Sequence, residues 1–334
     1  MKMKKYDVSI ICCTYNSDIN KLAITLNSLL NQDGCSFEVI IADDGSVDNH
    51  KDFICNYFKR FNFQDYKLCL NKDNKGTVKN IFKAIKLADG KYIKPISPGD
   101  CLYCETTLKN LIAFANQNAA DIVFADAVYY TYNSTGINIL QKRAPVFNNI
   151  YTNDNLYDFE KIVKYQIYYR DFILGASLLY ETKLLYKYLD IIKNVVIYTE
   201  DVVVQLFALN KHQIYYFNEF IIWYEADSGI STNPNKKFEN KIKIDIYNFY
   251  KLMKVINDDW YVKYAYCATY FDLPNINIFL KLIYKVFNAC LIDKKIFKYK
   301  RKQVEKFLNN NNLNNNNLNN NIVYSYFYNL IKIK

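Results

Sequence analysis

Five short apolar runs within the first 126 residues, at 8–13, 39–42, 66–70, 92–96 and 122–125, alternate with longer stretches whose apolar residues recur at helical spacing. The run at 39–42 is uninterrupted and contains β-branched residues, the pattern of a strand covered on both faces. Between the runs, sets such as Ile19, Leu22, Leu26, Leu29 and Leu30, or Val78, Ile81, Phe82 and Ile85, each trace one face of a helix. Strands and helices alternating at this spacing need crossover connections. The pattern therefore predicts an α/β protein with a mainly parallel sheet flanked by helices.

The first run ends in Thr14, Tyr15, Asn16 and Ser17, the second in Asp43, Asp44, Gly45 and Ser46, the fourth in Ser97, Pro98, Gly99 and Asp100, and the fifth in Asp126. In an open α/β sheet the carboxyl ends of the strands share an edge, and the loops leaving it make room for a ligand. Thr14, Asp43, Asp44 and Asp100 are expected to converge there, with Asp126 as a further candidate. Carboxylates gathered in a partly dry cleft repel one another, so the cluster calls for a cation or hydrogen-bond donors. The competing explanation for Asp43 and Asp44 is ordinary turn and cap chemistry.

From about residue 127 the alternation fades. Residues 173–180 read as a strand whose Gly175-Ala176 suits a close backbone approach. Thr199 is a fair N-cap, and Glu200 and Asp201 fall in the first turn of a helix over 202–209, where the helix dipole stabilises anions. Strand patterns at 213–217 and 220–225 precede a polar turn, 227–232. This divides the chain into a domain over 1–232, a helical, basic and aromatic extension over 233–307, and an Asn-rich spacer with an amphipathic end over 308–334. That end is suited to docking on the protein or lying on a membrane surface.

Composition sets further bounds. A hydrophobic fraction of 51% over 334 residues fits a folded protein with a sizeable core. The net charge of +10 is concentrated: residues 232–334 carry 18 Lys and Arg against 7 Asp and Glu. Such a tail suits an anionic membrane surface or acidic partner, a nucleic acid, or a solvated helix face. Nine scattered cysteines, with no secretory pattern, point to reduced thiols in the cytoplasm. One CxxC (Cys101 and Cys104) and two histidines are too few for a structural zinc site. No apolar stretch is long enough for a spanning helix.

Four motifs in order, TYN at 14–16, ADDGS at 42–46, the stretch from Asn74 to Asp100 containing NKG and SPGD, and TED at 199–201, resemble the family 2 glycosyltransferases of GT-A nucleotide-sugar-binding fold. The resemblance covers roughly residues 6–232. It implies that Thr14, Tyr15, Asn16, Asp43 and Asp44 contact the uracil and ribose of a UDP-sugar donor, and that Asn74, Lys75, Gly76 and Asn80 line the cleft beside them. The family's DxD metal motif falls on Ser97 to Asp100, with Ser97 and Gly99 in place of acids and Asp100 as the metal-site carboxylate. Mg2+ or Mn2+ accepts mixed oxygen shells, so one protein carboxylate with diphosphate oxygens can hold it. Asp201 matches the family's general base, with Glu200 second. The turn after Trp223 resembles a segment that covers the diphosphate, through Ser228 and Ser231, although Glu225 stands where a basic residue is frequent.

The resemblance implies an inverting transferase that moves a sugar to a glycan or lipid-linked acceptor in bacterial surface polysaccharide synthesis. It would act from the cytoplasm at the inner membrane face, with possible peripheral contact through the basic C-terminal third. The alternatives are a non-catalytic nucleotide-sugar-binding module, suggested by Ser97 and Gly99, and a nucleotidyltransferase, disfavoured by the lack of a Gly-rich basic loop. Nucleic acid is not an expected partner.

Overall fold

A computed structural model of the chain describes residues 5–133, 136–152, 157–226, 236–289, 291–310 and 322–331. Among them the first half forms strand β1 (Tyr6–Thr14), helix α1 (Ile19–Leu30), β2 (Phe37–Asp43), α2 (Lys51–Arg60), β3 (Tyr66–Leu70), α3 (Thr77–Ile85), β4 (Gly90–Ile96), β5 (Cys101–Leu102), α4 (Thr107–Gln117) and β6 (Ile122–Asn133). Then follow β7 (Gly136–Leu140), α5 (Phe159–Val163), β8 (Leu178–Glu181), α6 (Thr182–Ile192), α7 (Val203–Leu209) and β9 (Ile214–Glu225). Helices α8 (Lys236–Ile256), α9 (Trp260–Asp272), α10 (Ile278–Ala289), α11 (Ile292–Asn310) and α12 (Ile322–Ile331) complete it.

The strands form one nine-stranded sheet in the order β3-β2-β1-β4-β8-β6-β9-β5, with β7 on β6. β3, β2, β1 and β4 are mutually parallel, as the alternation requires. Beyond β4 the sheet is mixed, because β8 runs antiparallel to both β4 and β6. One core layer packs α1, α2 and α4 on the sheet through residues such as Leu26, Phe58 and Leu111. The opposite layer packs α3, α6, α7 and α8 through Ile81, Leu189, Phe207 and Phe249. Helices on both faces leave the carboxyl edge of the parallel strands open to loops.

Several local expectations change. The strand expected over 173–180 is short, beginning at Leu178 after a 3-10 turn at Gly175–Ser177. The two strand patterns after 213 are a single strand, β9, with a register shift against β6 at Asp126. Thr199 makes no side-chain cap; a 3-10 turn at Glu200–Val202 precedes α7. The spacer expected from 308 starts later, since α11 runs to Asn310. At the C-terminal end, α12 docks on the protein: the ring of Phe327 stacks on Trp223 at 4.0 Å and meets Tyr130 edge-on. Such stacking adds about 0.5–1.5 kcal/mol beyond area burial.

Candidate active site

The loops at the carboxyl edge enclose one large cleft of about 1050 Å³. That is at the upper end of the range for small-ligand sites. Thr14, Tyr15, Asn16, Asp44, Asn74, Gly76, Asn80, Ser97, Asp100, Glu200 and Asp201 all line it. Carboxylates 44, 100 and 201, far apart in sequence, thus share a single rim.

Asp44 sits just after β2, and its two oxygens accept from the backbone N–H groups of Lys75 (2.9 Å) and Gly76 (2.7 Å). Gly76 meets this geometry because it is at φ +88 and a Cβ there would lie 2.3 Å from Ile197. The acid therefore clamps the loop before α3 against the end of β2. Tyr15, half exposed, stands at the mouth of the cleft. Asn16 is turned toward the Ser46 loop, with its Oδ1 accepting from the Val47 N–H.

Three of the expected donor contacts lie off the cleft lining. Asp43 is buried beneath it and accepts from Thr14 Oγ1 (2.9 Å), the Ser46 N–H (2.9 Å) and the Gly45 N–H (3.1 Å), so it shapes the turn. Lys75 contributes its backbone N–H to Asp44, and its ammonium pairs with Asp73. Gly99 donates its N–H to Thr25 and accepts at its carbonyl from Tyr130. Asn80 lines the cleft while its amide is tied to the Ala42 carbonyl. Asp126 does not join the cluster: the bulge between β6 and β9 turns it to Arg143, which holds it with two N–H groups, and to Tyr216. Ser228 and Ser231 lie outside the described residues.

The turn at Ser97 to Asp100 carries the next group. Asp100 is buried, and one of its oxygens accepts from the Glu225 N–H at 3.1 Å. Burial pushes its carboxyl up to about 7, with the Glu225 charge adding and hydrogen bonding and Lys94 opposing. Lys94, fully buried in β4, is pulled down to about 7 by the same desolvation. Its ammonium donates to the carbonyls of Pro95 and Ala176, joining β4 to the Gly175 turn. Glu225 sits against Gly99: a Cβ at Gly99 would lie 2.1 Å from Glu225 Oε2, and φ there is +100. Lys21 of α1 reaches across to Glu225 at 2.7 Å. Lys21 thus places a positive charge beside position 225.

Glu200 and Asp201 line the same cleft from the 3-10 turn before α7. Burial raises both carboxyls above the ordinary range, and the Asp201 charge raises Glu200 further. A Cβ built at Gly175 would stand 3.5 Å from Asp201 Oδ2 and 3.7 Å from Glu200 Oε1, so the bare Gly175 backbone faces both acids. The segment before them is fixed by Asp245 of α8, whose Oδ2 accepts from the N–H groups of Ile197 (3.1 Å), Tyr198 (2.5 Å) and Thr199 (3.3 Å). The α8 residues Phe238, Lys241, Ile242 and Ile246 continue the wall, with Lys241 Nζ on Tyr198 Oη at 3.1 Å.

Sequence reasoning missed Lys21, Lys94, Asp245 and the α8 wall. Only the polar residues inside otherwise apolar patterns, Lys94 in a strand and Asp245 in a helix, gave a local signal. Among the described residues no group of three or more His, Cys, Asp and Glu is placed to hold a metal ion.

The strand-end acids Asp44 and Asp100 and the partly buried pair Glu200 and Asp201 thus line one cleft at the open edge of an α/β sheet, an arrangement that suits a transferase. The profile of "Glycosyl transferase family 2" matches residues 9–179, and the chain belongs to that family. It is 32% identical over 117 residues to the poly(ribitol-phosphate) beta-N-acetylglucosaminyltransferase TarS of Staphylococcus aureus, covering 34% of this chain and 20% of that protein. It is 30% identical over 125 residues to the UDP-Glc:alpha-D-GlcNAc-diphosphoundecaprenol beta-1,3-glucosyltransferase WfgD of Escherichia coli, covering 35% and 47%. The matched stretch is therefore less than half of either relative's length. A crystal structure of S. aureus TarS 1-349 in complex with UDP-GlcNAc superposes with a TM-score of 0.49 at 19% identity, covering 80% of each chain.

Proposed function

We propose that the chain transfers a sugar from a nucleotide donor, UDP-linked, to a hydroxyl of a glycan or lipid-linked acceptor by a single inverting displacement. The observation that carries this is the shared cleft, lined by Asp44 and Asp100 and by the raised Glu200–Asp201 pair. Asp201 takes the proton of the acceptor hydroxyl as its oxygen bonds to the anomeric carbon. The bond from that carbon to the diphosphate breaks, and the nucleoside diphosphate leaves with the electron pair. A proton retained in the Glu200–Asp201 pair limits repulsion between the two raised carboxyls. Asp44, Thr14 and Tyr15 take the nucleoside, and Lys21 offers its ammonium to the diphosphate.

The donor set fits a divalent cation, Mg2+ or Mn2+. Asp100 and the Glu225 carboxylate, which occupies the room left by the missing Gly99 side chain, would hold it together with diphosphate oxygens. Bound there, the cation would offset the charge on the leaving group. Action on poly(ribitol-phosphate) and on a diphosphoundecaprenol-linked sugar, stated in the names of the two relatives, supports a role in surface polysaccharide synthesis, with the acceptor met at the cytoplasmic membrane face.

The test is UDP release from a panel of UDP-sugars, with and without Mn2+ and acceptor glycans. Acceptor-stimulated release is the expected outcome. Donor binding without release would leave a non-catalytic binding module, and pyrophosphate release from nucleoside triphosphates would make it a nucleotidyltransferase.

A further inference from the structure

Helix α10 is amphipathic in the inverted sense. Three of its polar residues, Lys281, Tyr284 and Asn288, spaced along one face, turn toward the protein: Lys281 donates to the Leu273 carbonyl, Tyr284 stacks on Phe271 at 4.4 Å, and Asn288 accepts from Tyr264, whereas Lys285 is exposed. Its apolar residues face outward, with Ile278 75%, Phe279 67% and Phe287 73% exposed, and Leu282 and Ile283 beside them. Left in water, these side chains forgo the stabilisation that burial of apolar area gives. The helix contains no acidic residue.

Helix α11, which contacts α10, is strongly basic. Its Phe297 packs on Tyr169 and Phe147, while Lys295, Lys298, Lys300 and Lys302 are exposed. Both of its acids are already paired, Asp293 with Lys164 and Glu305 with Arg301. Ile292 and Tyr299 add exposed apolar area to the same helix.

We infer that α10 and α11 form a surface that seats on an anionic lipid bilayer, with the α10 apolar face in the headgroup–acyl boundary and the α11 lysines on the lipid phosphates. The pairing of exposed apolar side chains with uncompensated positive charge selects this occupant over an uncharged apolar partner. The contact is peripheral, since no helix among the described residues is long and apolar enough to cross a membrane. No residue of α10 or α11 lines the cleft, so the inference stands apart from the transferase function. Within the basic C-terminal third it puts the membrane contact on α10 and α11, while α12 is docked on Trp223.

The test is co-sedimentation of the full chain with vesicles of mixed phosphatidylglycerol and phosphatidylcholine, and with phosphatidylcholine alone. Binding to the anionic vesicles is expected, falling about tenfold or more in high salt or without phosphatidylglycerol. A Phe279→Asp/Phe287→Asp double variant should lose it while keeping the wild-type thermal shift with UDP. Equal binding by the double variant, no binding by wild type, or a wild-type dimer that the double variant turns into a monomer would overturn the inference.

Discussion

Lys21 Nζ lies 2.7 Å from the Glu225 carboxylate, which fills the space beside Gly99 that no other residue type would leave open. Glu225 in turn donates its N–H to Asp100, so this ion pair of α1 and β9 sits next to the Asp100 turn. Lys21→Met is expected to weaken UDP binding about fivefold to a hundredfold, the range for losing one charge-assisted contact. Glu225→Gln should instead weaken Mn2+ binding, read by electron paramagnetic resonance of the free ion, with UDP affinity in the absence of metal little changed.

The buried acid pair makes activity and stability oppose each other. Burial raises both carboxyls, so the folded chain holds more protons than the unfolded one between the ordinary carboxylate range and the raised values. Stability contributed by the protonated acids is therefore lost as pH rises through that window. Turnover, which needs ionised Asp201, should climb over the same window. Asp201→Asn is expected to lower kcat about 10²–10⁴-fold and to raise the melting temperature at alkaline pH, measured by initial rates and thermal melts across pH.

Asp245 acts on those acids from α8 by holding three consecutive N–H groups. Asp245→Ala should cost about 1.5–3 kcal/mol of stability. It should lower kcat more than it weakens donor binding, because the loop it holds carries Glu200 and Asp201. Asp245→Asn, which keeps an acceptor oxygen, should recover part of the rate. Equal loss of donor affinity and kcat would mean a general rather than a local effect.

The first four strands and the positions of Asp44, Asp100, Glu200 and Asp201 were legible in the sequence, because periodicity and turn chemistry are local signals. What escaped is set by tertiary contact. Asp43 and Asp44 are adjacent and chemically alike, yet the twist at the end of β2 sends one into the turn and the other into the cleft. Asp126 has the same strand-end pattern, and only a bulge and the distant Arg143 take it elsewhere. Gly99 stands where the family motif has an acid, and the contact of the Glu225 carboxylate with it is made between residues 126 positions apart.

The most direct measurement is calorimetric titration of UDP into wild type, Asp44→Ala, Asp44→Asn and Asp201→Ala proteins. Wild type and Asp201→Ala should bind alike, while both Asp44 variants lose about tenfold to a hundredfold in affinity. Equal UDP affinity across all four, or no UDP binding by wild type, would contradict a nucleotide-sugar cleft with Asp44 on its donor side.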